Sequence, residues 1–142
     1  MDQPDDVTLD TSENGWQILR RNEPDGTLQM DYAIYNRQCF ENALPTVRLY
    51  WAQRITQPNG RLANAVYFPG DAGRRYIAID DRLEYMLPLD RLCLLHEMIH
   101  LKLGTESHGE DFVSEFKRVL DANKWEVMGC IDDPAQSPTA AA

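Results

Sequence analysis

Apolar residues recur along this chain at two different periods, and the change of period marks out the elements. Between residues 27 and 43, Leu28, Tyr32, Tyr35, Cys39 and Phe40 fall three or four apart, the spacing of one helix face. Pro45 ends that region. From Val47 to Arg54 the period drops to two, with Val47, Leu49, Trp51 and Gln53 on one side and Arg48, Tyr50, Ala52 and Arg54 on the other. A turn at Pro58-Asn59-Gly60 follows. Strands are predicted at Leu62–Phe68 and Arg75–Asp80, joined through Pro69-Gly70-Asp71-Ala72-Gly73, a link with hairpin composition. A short helical turn is expected over 81–86.

A helix then starts at Pro88-Leu89-Asp90, with Asp90 as N-cap. Leu92, Leu95, Ile99 and Leu103 form its main stripe, and Leu94, Met98 and Leu101 cover much of the rest, so it is expected between layers. A last helix is predicted over about 109–123, on Phe112, Phe116, Val119 and Leu120. Trp125 to Ile131 is expected to return to the core as a short strand or coil. Residues 1–15 are acidic and read as a loose segment, with Trp16, Ile18 and Leu19 anchoring the domain start and a turn at residues 22–26. Residues 132–142 read as a flexible tail. The fold class is α+β: one domain over 16–131, with a small, mostly antiparallel sheet packed against an N-terminal helix, the helix at 89–103 and a C-terminal helix.

Chemistry concentrates in the buried helix. His96-Glu97-Met98-Ile99-His100 reads H-E-x-x-H. Residues four apart on a helix lie one above the other, so both imidazoles can meet one metal ion while Glu97 reaches a water beside it. A catalytic zinc normally takes three protein ligands and leaves a position open. His108 is the chain's third histidine, eight residues after His100 and beyond Gly104, which is expected to stop the helix in a left-handed cap. It is the first candidate for the third ligand. Glu106, Glu110, Glu115 and Glu126 lie downstream too, and Glu115 is the leading alternative among them. The spacing is not that of metzincins, whose motif puts a glycine three and a histidine six residues after the second histidine.

The chain resembles the SprT-like metallopeptidases, the family of Spartan, over about residues 28–125. Three blocks carry the resemblance: Phe40-Glu41-Asn42-Ala43-Leu44-Pro45 leading into Val47-Arg48-Leu49-Tyr50-Trp51; Tyr76-Ile77-Ala78-Ile79-Asp80 before Leu83; and Leu94-Leu95-His96-Glu97-Met98-Ile99-His100 followed by His108-Gly109-x-x-Phe112. It implies a zincin-like minimal metallopeptidase domain. It also implies Zn2+ on His96, His100 and His108, with Glu97 as general base. Many family members carry a cysteine-paired zinc ribbon after this domain. The chain has no C-x-x-C, so that module is not expected, and its loop between His100 and His108 is short beside the Spartan-like insertion.

Composition adjusts this picture at three points. No apolar run approaches a membrane span, and the N-terminus lacks a basic cluster and an apolar core, so a cytoplasmic protein without membrane contact is expected. Cys39, Cys93 and Cys130 are widely spaced; Cys39 and Cys93 read as small core residues in a reducing compartment, with zinc ligation a minor alternative. The net charge of −9 does not support the DNA partner associated with Spartan-like enzymes, which needs a basic footprint. The 16–130 segment is nearer balance, with 16 acids and 14 bases, and Arg48, Arg54, Arg61, Arg74 and Arg75 face only Asp71 across 48–75. Those arginines form either a local basic patch or ordinary solvated strand and loop ends.

The expected function is a zinc-dependent endopeptidase acting on protein or peptide substrates, including DNA-associated or unfolded ones. The substrate would lie extended along an edge strand, 62–68 or 75–80. Tyr67, Tyr76 and Arg74 are candidates by type for stabilising the oxyanion. The alternatives are a non-proteolytic zinc-containing binding module and a metal-dependent hydrolase of a small amide.

Overall fold

The computed structural model describes residues 6–69, 74–86, 89–105 and 107–128, with side chains to Asp121. The first helix, α1 (Gly26–Phe40), begins at Asp25, whose carboxylate accepts a hydrogen bond from the Leu28 N–H at 3.0 Å. Such a cap is worth about 1 kcal/mol. The inner face is the one its spacing predicts: Leu28, Tyr32, Tyr35, Cys39 and Phe40 are all buried. The helix stops at Phe40, earlier than expected, because Glu41 and Asn42 adopt left-handed backbone and the Asn42 N–H returns to the Asn36 carbonyl at 2.8 Å. Pro45 therefore plays no part in ending it.

Five strands form one mixed sheet: β1 (Val7–Thr11), β2 (Gln17–Arg21), β3 (Arg48–Thr56), β4 (Ala65–Phe68) and β5 (Tyr76–Asp80), in the order β1-β2-β3-β5-β4. Three of the four pairings are antiparallel, and β3 with β5 is parallel. Two expectations are corrected here. Residues 1–15 are not loose throughout, since Val7–Thr11 pairs residue for residue with Gln17–Arg21. The segment 75–80 is not an edge: β5 lies between β3 and β4, with all five of its residues buried. β4 is the edge on that side.

The strands sort their side chains onto two faces. Leu49, Trp51, Ala65, Tyr67, Ile77 and Ile79 belong to the cluster under the helices. Tyr50, Ala52, Val66, Phe68, Tyr76 and Ala78 belong to a second cluster on the other face. Strict alternation fails in β3, where Arg54 pairs with Leu19 but Ala52 pairs with Arg20. The extra residue is a bulge. It leaves Gln53 exposed and brings Ile55 to the same side as Tyr50 and Ala52.

A 3-10 turn at Asp81–Leu83 leads toward α2 (Leu89–Leu103). Asp90 lies inside the first turn of α2 rather than at its N-cap, and its carboxylate accepts from the Arg91 N–H at 2.8 Å. Leu94, Leu95, Met98 and Ile99 are all buried to 1% exposure or less, as expected of a helix held between layers. The last helix, α3 (Glu110–Met128), continues past 123, so residues 125–128 are helical and not a returning strand. Residues 129–142, including the expected tail and Cys130, lie outside the described residues. Among the described residues no helix is long and apolar enough to cross a membrane.

Candidate metal centre

Two elements bring the three histidines together. His96 and His100 project one helical turn apart from the C-terminal half of α2. Gly104, at φ 69°, then ends the helix, and its N–H donates to the His100 carbonyl at 2.8 Å. The chain reverses through a turn in which the Thr105 hydroxyl accepts from the Ser107 N–H and the Ser107 hydroxyl accepts from the Gly109 N–H, each at 3.0 Å. His108 is thereby delivered to the head of α3, facing back toward α2.

The Nε2 atoms of His96, His100 and His108 form a triangle with sides of 3.1 Å. Four ligands at zinc–nitrogen distances of about 2.0–2.1 Å in a tetrahedron stand roughly 3.3–3.4 Å apart, so the triangle is within a few tenths of an ångström of that spacing. The His100 Nδ1–H donates to the Thr105 carbonyl at 2.8 Å, which leaves the His100 Nε2 with a lone pair. Burial and the neighbouring His100 and His108 push the His96 pKa down to about 4, so His96 is neutral at ordinary pH. Three nitrogens this close cannot all satisfy one another as donors and acceptors. These residues form a group that can hold a metal ion.

Phe112 completes the arrangement in a way that residue type alone does not show. Its ring centroid lies 4.8, 4.6 and 4.9 Å from those of His96, His100 and His108, and the residue is 5% exposed. One aromatic side chain from α3 therefore backs all three imidazoles. The available signal was its position four residues after His108.

Glu97 is buried on α2, with Oε2 3.9 Å from His96 Nε2, and it lines the same cleft as the three histidines. Glu115, the leading alternative ligand, is committed elsewhere. Its carboxylate accepts from Lys102 Nζ at 2.7 Å and from Arg118 Nε at 3.0 Å. Cys93 also borders the cleft. Burial, then the charges of Glu97 and Asp90, push its thiol up to about 11, which keeps it protonated. Cys39 is a core residue.

The cleft has a volume of about 580 Å³. Its walls are α2 and α3 on one side, through Leu92, Phe116 and Leu120, and the whole of β4 on the other. Among the described residues β4 pairs only with β5, so its outer edge is unpaired. Of the three oxyanion candidates, only Tyr67 borders the cleft. Tyr76 is buried on the far face, where its hydroxyl donates to Asp10 Oδ2 at 2.6 Å, and Arg74 is exposed away from the cleft.

Sequence reasoning gave no site role to Ser12 and Asn14, in the turn between β1 and β2, or to Gln57, and read Trp16 only as an anchor of the domain start, yet all four line this cleft. Compared with curated proteins and with solved structures, the chain gives no significant match. Against protein families it matches the SprT-like family over residues 28–130, a stretch that runs from within α1 to beyond α3 and includes all three histidines and Glu97. The protein belongs to the SprT-like family.

Proposed function

We propose that the protein is a zinc-dependent endopeptidase with a zincin-like site, in which His96, His100 and His108 hold the metal and Glu97 is the general base. The observation that supports this most directly is the convergence of three imidazole nitrogens beside a buried carboxylate, on the floor of a cleft bordered by an unpaired strand edge. A purely structural zinc has no need of Glu97 and generally uses four protein ligands. Bound zinc would supply a Lewis acid that lowers the pKa of water and polarises a scissile carbonyl. Glu97 takes a proton from the attacking water and returns it to the leaving amine. The main chain of β4 offers unpaired N–H and C=O groups to an extended substrate segment, which fixes the scissile bond over the histidines. Of the three candidates by type, Tyr67 is taken as the oxyanion donor because it borders the cleft. The substrate class is protein in extended or unfolded segments. DNA-associated proteins enter this class only through the exposed Arg48, Arg54, Arg61 and Arg74, against a net charge of −9.

The test combines metal content with cleavage. Untagged wild type and Glu97→Gln should each carry one zinc per chain by mass spectrometry. Casein cleavage by Glu97→Gln should fall by about 10²–10⁴-fold, the usual share of a general base. A zinc-loaded Glu97→Gln protein that cleaves at the wild-type rate removes Glu97 from its role. Zinc-loaded wild type that cleaves nothing points instead to a binding module.

A further inference from the structure

The turn between β1 and β2 is remote from β4 in sheet order, with β3 and β5 between them, yet it borders the same cleft as the metal centre. The far-face cluster explains how. Trp16 belongs to that cluster together with Ile18, Val66 and Phe68, and all four line the cleft. The turn is held in place from both ends. Within it, the Ser12 N–H donates to the Trp16 carbonyl and the Trp16 N–H to the Ser12 hydroxyl, each at 3.0 Å. Outside it, Gly15 sits at φ 100° so close to Pro58 that an added Cβ would meet the proline ring carbon at 3.3 Å. The cleft thus wraps around the β4 edge, from the histidines on one face of the sheet to Trp16 on the other.

A segment paired along that edge places successive side chains on opposite faces. Those on the helix side lie by Leu92, Phe116 and Leu120. Those on the far side lie by Trp16, Val66 and Phe68, with Asn14 and Gln57 also on the cleft wall. We propose that Trp16, Val66 and Phe68 form a subsite on the far face that selects an apolar, preferably aromatic, side chain of the bound segment, with Trp16 its specificity-determining residue. This rests on the reading of the cleft as a peptide groove. It adds a determinant, Trp16, that precedes the stretch matched by the SprT-like family. Adjacent apolar side chains in an extended segment are hidden in folded proteins, so the subsite would favour unfolded segments over exposed polar loops.

Binding and cleavage separate the two layers of the argument. The probes are polar decapeptides that carry a single Phe, or Ser, at each position in turn. Binding is measured by calorimetry on zinc-loaded Glu97→Gln protein, with and without Trp16→Ala, and cleavage on the Glu97 parents. The best Phe peptide should bind roughly tenfold or more tighter than its Ser partner, the scale expected for burying an aromatic ring. Trp16→Ala should reduce that ratio to about twofold or less without changing metal content, since the apolar wall is gone. Should Trp16→Ala fail to fold, Trp16→Leu retains packing on Ile18 and should still lose most of the preference. An unchanged ratio in a folded Trp16 variant, or no binding of either peptide, overturns the subsite. A Trp16-dependent binding preference without any cleavage by zinc-loaded wild type would keep the subsite and overturn the endopeptidase reading instead.

Discussion

The two faces of the sheet are closed by different means. On one, α1, α2 and α3 form a roof, and the buried cluster beneath them runs continuously into the histidines. Among the described residues the other carries no helix, and its smaller cluster is flanked by a polar lattice. In that lattice Asp10 Oδ2 accepts from Tyr76 Oη at 2.6 Å and from Arg20 Nε at 2.7 Å, while the Arg20 guanidinium lies 4.5 Å from the Tyr50 ring centroid. The difference teaches that the helix roof places reactive groups, whereas the far face supplies shape. Metal binding should therefore stabilise the protein through the first face alone.

The sharpest way to break this contrast is His108→Ala, because His108 is the one histidine of the three that α2 does not carry. If His108 is a ligand as proposed, its loss should weaken zinc by more than the roughly 10–100-fold typical of losing a supporting partner. Zinc at a hundred times its Kd stabilises a folded protein by about 2.7 kcal/mol. Wild type should show that increment in denaturant unfolding, and His108→Ala should show little of it. An undiminished increment would mean that the metal sits elsewhere.

Asp10→Ala probes the other face with a smaller effect. It removes the acceptor of the buried Tyr76 hydroxyl, whose pKa is already raised well above the ordinary tyrosine value by burial and by the Asp10 bond. An unsatisfied buried group costs about 1–3 kcal/mol. Stability should drop by that amount while the zinc increment persists. If the increment disappears with Asp10, the two faces are coupled and the division of labour drawn here is wrong.

The two faces also differ in how far they could be read from sequence. The inner face of α1 and the apolar girth of α2 follow from local spacing, and the H-E-x-x-H pair needs only helix geometry. His108 follows from the need for a third ligand. The far face depends on pairing between distant segments. Val7 and Leu9 alternate with polar residues, but the surrounding acids suggested a loose segment, and only the partner strand Gln17–Arg21 reveals the hairpin. The interior position of β5 left a trace that was read too weakly: Tyr76-Ile77-Ala78-Ile79 is a continuous apolar run, the mark of a strand buried on both sides. Nothing local placed Trp16 in the cleft, because that depends on how distant segments pair.

Glu115 offers the mildest test, and it concerns how the roof is held. Its carboxylate joins Lys102 on α2 to Arg118 on α3, and Arg118 Nη2 donates in turn to the Cys39 carbonyl on α1 at 3.0 Å. All three helices meet at this staple, and it sets the distance between the helix that carries two histidines and the one that presents the third. The Arg118 hydrogen bonds first, then that of Lys102, hold the Glu115 pKa below its ordinary value against the opposing effect of burial. A depressed carboxylate pKa stabilises the fold above the unfolded-state value, and that contribution is lost as pH falls through the folded-state value. Glu115→Gln should therefore cost on the order of 1 kcal/mol at neutral pH, near the upper end for exposed ion pairs. The cost should shrink as the solution is acidified, since the wild-type carboxylate then loses its charge as well. Chemical unfolding of both proteins between neutrality and pH 3 checks this. A gap independent of pH would show that Glu115 acts through packing and not through charge, leaving the α2–α3 spacing to Phe112 and its contacts with the three imidazoles.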